Sequence, residues 1–198
     1  MACSWATAAF LAVVAVLHLL DPRDPWHRFV SEYGMGHPLL LALGFCAWAA
    51  SGLVIASPLW RRKTRPARAG AGCLALFAAL ILVAATVQID GPSLETPTTL
   101  EGALHVTAGR LAVAALALGL LLGFGAVRGR RSAGLLLGLL IVAFAVPVLA
   151  APRAVGLTQR VVVGVEIGAA LLLAWSLDRR PGPTASPRTC AARDAPTA

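Results

Sequence analysis

The polar stretch 90–110, DGPSLETPTTLEGALHVTAGR, separates two long apolar runs and concentrates the side chains that can exchange protons. In a chain with only 13% charged residues, chemistry or ligand binding has to concentrate in such a stretch. Glu101 and His105 are four residues apart, so they share one face of a helix. A carboxyl group beside a histidine, partly removed from water, can act as a general acid–base pair.

Further polar side chains are expected at the same level. His18 ends the first apolar run, Glu32 and Tyr33 precede the second, and Asp90 ends the third. The predicted catalytic residues are Glu32, Asp90, Glu101 and His105. The predicted substrate-binding residues are Trp26, Tyr33, His18, Arg110 and Glu166. The alternative is that most of these acids and histidines are solvated helix ends and caps, Thr98 with Glu101 forming a capping box or Thr99 serving as the cap.

Arg110 and Glu166 are the ionisable residues deepest in apolar runs. Arg110 lies roughly 12 Å into the fourth run and Glu166 roughly 9 Å past Arg160, at a rise of about 1.5 Å per residue. Since a lone charge at such a depth costs about 2.5–3.5 kcal/mol, the sequence predicts that the two residues pair. The pair is either structural or a charged floor beneath a pocket.

The elements that must position these residues are membrane helices. The chain has 198 residues, 58% of them hydrophobic, and a mean hydropathy of +0.78. A helix needs about 20 mostly apolar residues to cross a bilayer. The sequence predicts an all-α bundle of six transmembrane helices in one domain, 1–177, followed by a disordered cytoplasmic tail, 178–198, rich in Pro, Ala and Thr. The predicted spans are 5–20, 39–57, 69–89, 102–127, 132–150 and 160–177.

The basic residues indicate the orientation of these helices. The loop 60–68, WRRKTRPAR, has five basic residues and no acid. Because cytoplasmic loops are enriched in Lys and Arg, both termini are predicted inside, in a multi-pass protein of the cell membrane. The positive charges directly follow apolar runs, as in loops that face lipid headgroups, which argues against nucleic acid as a partner.

A short interfacial helix is predicted between the first two spans. Trp26, Phe29, Val30 and Tyr33 recur at helical spacing and form an apolar face. The opposite side carries His27, Arg28, Ser31 and Glu32.

No cofactor or metal site is predicted. The chain has no HxH or HxxxH pair, no GxSxG motif and no phosphate-binding loop. Metal ligands also gather from distant segments, and His18, His37 and His105 leave that alternative open.

Three motifs resemble a known family. They are HLLDP at 18–22, SEYGMG at 31–36, and Asp90 followed by Gly102-x-x-His105. They resemble the bacterial and archaeal membrane proteins known as domain of unknown function 998, over most of residues 5–177. The resemblance implies a six-helix bundle and a polar signature at Ser31, Glu32, Tyr33, Asp90 and His105. It implies no reaction, and it leaves Glu95–Glu101 and Glu166 unmatched.

These observations favour a protein that binds or acts on a lipid-like or isoprenoid molecule, with membrane lipids as its surroundings. As an enzyme it would start polyene cyclisation by protonation, with Trp26, Tyr33 and Trp48 sheltering a carbocation. One alternative is a proton-coupled transporter whose water path is lined by Arg110 and Glu166. Another is a structural or regulatory subunit without catalysis. The sequence leaves the oligomeric state open.

Overall fold

The computed structural model describes residues 2–21, 30–87, 99–127, 134, 138 and 155–178, and these contain helices and no strand. Their elements are α1 (Ala2–Leu20), the 3-10 helix η1 (Val30–Met35), α2 (Pro38–Trp60), α3 (Arg65–Thr86), α4 (Leu100–Ala126) and α5 (Val155–Asp178). All five α-helices are long and apolar enough to cross a membrane, α5 over Gln159–Asp178. The prediction of an all-α chain with apolar helices of membrane-spanning length is confirmed for these residues.

The five α-helices correspond to the first four predicted spans and the sixth. The fifth predicted span, 132–150, lies outside the described residues except for Gly134 and Gly138, so a sixth helix stays a prediction. The predicted tail also lies outside them, apart from Asp178, which ends α5.

Proline lies near two of the helix ends that differ from the prediction. The second span was expected to stop at Ser57, yet α2 continues through Pro58 to its end. Because Pro58 lies in the last turn of α2, it removes only one backbone hydrogen bond of that helix. The helix α3 begins at Arg65, four residues before the predicted start, with Pro66 in its first turn, where a missing N–H leaves no bond unmade.

Consecutive helices pack as neighbours in a row from α1 to α4, and α5 closes the bundle against α4, α2 and α1. The short connection 61–64 makes α2 and α3 antiparallel. At that connection Arg62 Nη1 donates to the carbonyl oxygen of Ala126 at 3.3 Å, so α4 ends at the same end of the bundle. The end of α5 lies there too, because a Cβ atom at Gly123 would be 2.6 Å from the side chain of Leu173. The start of α1 is at the same end, because Cys3 lies within electrostatic range of Asp178 at the end of α5.

The opposite end, where α1 and α3 end and α2, α4 and α5 begin, is called the polar end below. It holds His18, Glu32, Tyr33, His105 and Gln159. The helix α4 ends away from the polar end and α5 begins at it, which is the arrangement that six spans require. The placement of the polar end on the outer side of the membrane remains a prediction from the basic loops.

Small residues allow α3 and α4 to approach closely. A Cβ atom at Gly70 would lie 3.1 Å from both the Gly119 carbonyl oxygen and the Gly123 backbone nitrogen. A side chain there would press against backbone that has no room to rotate away. The hydrophobic effect does little to hold helices together in lipid, so their association depends on close packing. Small residues at helix interfaces allow that packing.

An aromatic cluster fills the centre between α1, α2 and α3. Phe10 stacks on Trp48 with ring centroids 4.8 Å apart. Phe77 meets Trp48 edge-on at 5.1 Å. Because Trp48 is buried between these two rings, its contacts are those of a packing residue. This argues against its expected role in sheltering a carbocation.

Candidate functional site

The helix η1 carries two polar side chains into the polar end of the bundle. Glu32 is 2% exposed and Tyr33 is 1% exposed, and η1 packs on α2. A short helix between the first two spans is present, but the prediction that Glu32 lies on its side away from the apolar residues is wrong. A 3-10 helix has about three residues per turn, so the face assigned from α-helical spacing does not hold. Residues 22–29, including Trp26, lie outside the described part of the chain.

Tyr33 joins η1 to the last turn of α1. Its hydroxyl group contacts Nδ1 of His18, and the two rings meet edge-on with centroids 5.1 Å apart. A phenol both donates and accepts, so the contact suits either tautomer of a neutral imidazole. Two residues that were predicted separately as substrate-binding are thus brought together.

The first turns of α5 complete this group. Gln159 Oε1 accepts a hydrogen bond of 3.0 Å from the backbone N–H of Val30, the first residue of η1. The first N–H groups of any helix lack partners within it, so this side chain satisfies one of them. The guanidinium group of Arg160 lies within electrostatic range of His18. Gln159 was not predicted from the sequence, where it stands out only as a polar residue near the start of an apolar helix.

His105 connects α4 to the end of α3. It is 5% exposed, and its Nδ1–H donates to the carbonyl oxygen of Val87 at 2.9 Å. This bond assigns the proton to Nδ1 and leaves Nε2 as the nitrogen that can accept a proton from another group. Asp90, a predicted catalytic residue three positions beyond Val87, lies outside the described residues.

Glu101 does not share the environment of His105. Its side chain is exposed in the first turn of α4, although the two residues are on the same side of the helix. The structure also shows which threonine caps α4: Thr99 Oγ1 accepts from the backbone N–H of Gly102 at 3.1 Å. The alternative of a capping box between Thr98 and Glu101 is therefore wrong, because the cap is Thr99. A capping box that begins at Thr99 would need Glu or Gln three residues later, and that residue is Gly102.

The predicted pair of Arg110 and Glu166 does not form. Arg110 is exposed, whereas Glu166 has no exposed surface. In the part of the chain that the structure describes, neither carboxyl oxygen of Glu166 has a hydrogen-bond partner. Helix α4 has 27 residues, or roughly 40 Å, which exceeds a hydrocarbon core of about 30 Å. Arg110 is thus near enough to a membrane surface for its long side chain to reach polar surroundings without a partner. The predicted role of both residues in substrate binding remains untested.

The arrangement at the polar end suits proton exchange and polar recognition. It offers a buried carboxyl group, a phenol, and two imidazoles with different partners. Among the described residues, no three His, Cys, Asp or Glu side chains lie close enough together to hold a metal ion.

Comparison with known proteins places the whole bundle in one family. A family model described as Protein of unknown function (DUF998) matches residues 4–176. No curated protein matches the chain. No solved structure matches it either.

Proposed function

The chain belongs to the family described as Protein of unknown function (DUF998), and we propose that it binds a lipid-like or isoprenoid molecule at the polar end of its bundle. One observation carries the proposal: Glu32 and Tyr33 are almost completely buried at the end of apolar helices, with Tyr33 against His18. Buried polar groups at the end of apolar helices suit a ligand with a polar group on a hydrocarbon body.

The position of these residues determines how the ligand is bound. Its hydrocarbon part lies among the apolar surfaces of the helices, where it avoids water. Its polar group meets Glu32 and the contact between Tyr33 and His18. The guanidinium of Arg160, which lies within electrostatic range of His18, is a further polar group at this end of the bundle.

The enzymatic form of this proposal is acid-initiated cyclisation of a polyene. A protonated carboxyl group, Glu32 or Asp90, gives its proton to a terminal carbon–carbon double bond, and a second double bond attacks the resulting cation to close a ring. His105 Nε2 takes a proton from the carbon next to the final cation, so the product is an isomer of the substrate. Tyr33 and Trp26 are the aromatic residues proposed to stabilise the cation. The exposed Glu101 is a proposed relay to solvent.

The two alternatives gain less support. A transporter with a water path lined by Arg110 and Glu166 needs these side chains to face one space, and only Glu166 lies inside the bundle. If the protein were a purely structural subunit, the side chains of the polar end would be expected to be exposed to water. The burial of Glu32, Tyr33 and His105 argues against that.

The experiment that tests ligand binding is mass spectrometry of small molecules extracted from the protein purified in mild detergent. We expect an isoprenoid or other lipid to be retained by the wild type and depleted in Tyr33→Phe and His105→Ala. The matched control is Thr107→Ala, an exposed position on α4. Equal retention by all four proteins, or none by the wild type, contradicts the proposal.

Catalysis is tested by incubating the protein with polyenes in lipid nanodiscs made up in deuterated water. Cyclisation started by a protein carboxyl group incorporates one solvent deuteron into an isomeric product. One of Glu32→Gln and Asp90→Asn should remove this product and thereby identify the proton donor, while Thr107→Ala keeps it. A retained ligand with no turnover would limit the function to binding.

A further inference from the structure

Glu166 is a buried acid that the proposed site does not use. It lies in α5 seven residues beyond Gln159, roughly 10 Å further from the polar end. Its side chain has no exposed surface. Both carboxyl oxygens are buried, and no described residue forms a hydrogen bond with them.

No described helix that packs against α5 supplies a cation for this carboxyl group. Helix α1 has no Lys or Arg, and neither has α2. The only cationic side chain of α4 is Arg110, which is exposed, and His105 is engaged with Val87. On α5 itself, Arg160 is six residues earlier, about 240° around the helix, and so projects from another side.

An ionised carboxylate in this position would be closed to water and would have no partner among the described residues. Burial of an unpaired charge among apolar groups is strongly unfavourable, so such a group takes its neutral form instead. We propose that Glu166 is a proton-binding site inside the bundle, a carboxylic acid that carries its proton in the resting protein. The site is distinct from the polar end, and it does not depend on the lipid-binding function proposed above.

The proposal has a chemical consequence that separates Glu166 from the exposed acids. Lipid-soluble carbodiimides react with protonated carboxyl groups in apolar surroundings. The acid proton moves to a carbodiimide nitrogen and the carboxyl oxygen adds to the central carbon. The acyl group then shifts from oxygen to nitrogen and gives a stable N-acylurea. Nothing leaves, so the protein gains the full mass of the reagent.

The test is to treat the full-length protein in lipid vesicles with dicyclohexylcarbodiimide and to locate the adduct by peptide mass spectrometry. Trypsin releases 161–179, a peptide whose only carboxyl side chains are Glu166 and Asp178. We expect the adduct on Glu166, its loss in Glu166→Gln, and its persistence in Asp178→Asn. Asp178 is an exposed residue of the same helix and is thus a matched control.

A water-soluble carbodiimide provides the second arm of the test. It should modify Asp178 and leave Glu166 intact, since the latter is closed to water. An unmodified Glu166 after treatment with the lipid-soluble reagent overturns the proposal, and so does modification of Glu166 by the water-soluble one. Fragment ions from the wild-type peptide distinguish the two acids even where Glu166→Gln does not fold. Ligand loss at the polar end would leave this result unchanged, so the two proposals fail separately.

Discussion

The hydroxyl group of Tyr33 contacts Nδ1 of His18, and this contact ties η1 to the last turn of α1. The two residues are fifteen positions apart, with an undescribed segment between them. The contact of Tyr33 with His18 attaches η1 to α1, and the hydrogen bond from Val30 N–H to Gln159 attaches it to α5. The polar end is thus a packed part of the fold, and its side chains have defined partners.

Tyr33→Phe is expected to destabilise the protein by about 0.5–1.5 kcal/mol, the usual contribution of one hydrogen bond. The ring is kept, so its packing in the bundle remains. The measurement is the free energy of unfolding in detergent for Tyr33→Phe, His18→Ala and the double variant. We expect the double variant to lose less than the sum of the single losses, because both changes remove the same contact. Strict additivity would show that the two side chains do not interact.

His105→Ala is expected to cost about 1–3 kcal/mol, since the Val87 carbonyl at the end of α3 loses its donor. His105→Asn keeps an N–H donor of similar reach and should recover part of that loss. Hydrogen exchange of backbone amides near 84–87 is a local measurement of the same effect, and it should increase in His105→Ala. Thr107→Ala, exposed on the same helix, should leave both stability and exchange unchanged. Equal effects of Ala and Asn would argue against a hydrogen-bonding role.

The apolar runs alone were enough to predict the class of fold and the approximate helices. Each described α-helix overlaps a predicted span, because a run of about 20 apolar residues has few other stable states in a bilayer. The remaining errors are local. Basic residues around Arg65 were assigned to a loop, although the first turn of a helix can extend past the membrane and carry charge.

The contacts of the candidate site were less predictable, since they depend on how helices rotate and pack. The sequence identified His18, Glu32, Tyr33 and His105 as candidates, and the structure places all four at one end of the bundle. The contact of Tyr33 with His18 was not predicted. Two bonds at this end that use backbone atoms were not predicted either: those of Val30 with Gln159 and of Val87 with His105. A sequence motif does not record which backbone group a side chain will reach.

Arg110→Gln is expected to change the free energy of unfolding by less than about 0.5 kcal/mol, as for an exposed side chain. Breaking a buried ion pair with Glu166 would instead cost about 3–5 kcal/mol. The measurement is a double-mutant cycle of Arg110→Gln with Glu166→Gln in the same detergent. We expect no coupling energy between the two positions. A coupling energy above about 1 kcal/mol would show that Arg110 and Glu166 interact, contrary to the structure.

Gly70→Ala tests the close approach of α3 and α4. The added Cβ would lie 3.1 Å from backbone atoms of Gly119 and Gly123, so the two helices must separate slightly, at a cost of about 1–3 kcal/mol. Gly72→Ala, on the same helix, is the control, because nothing lies within 4 Å of its added Cβ. Both substitutions bring the same gain in helix propensity of roughly 0.5–1 kcal/mol, so the difference between them isolates packing. We expect the melting temperature to fall for Gly70→Ala and to stay level or rise for Gly72→Ala. An equal rise for both variants would show that α3 and α4 tolerate a methyl group at their interface, contrary to the packing described here.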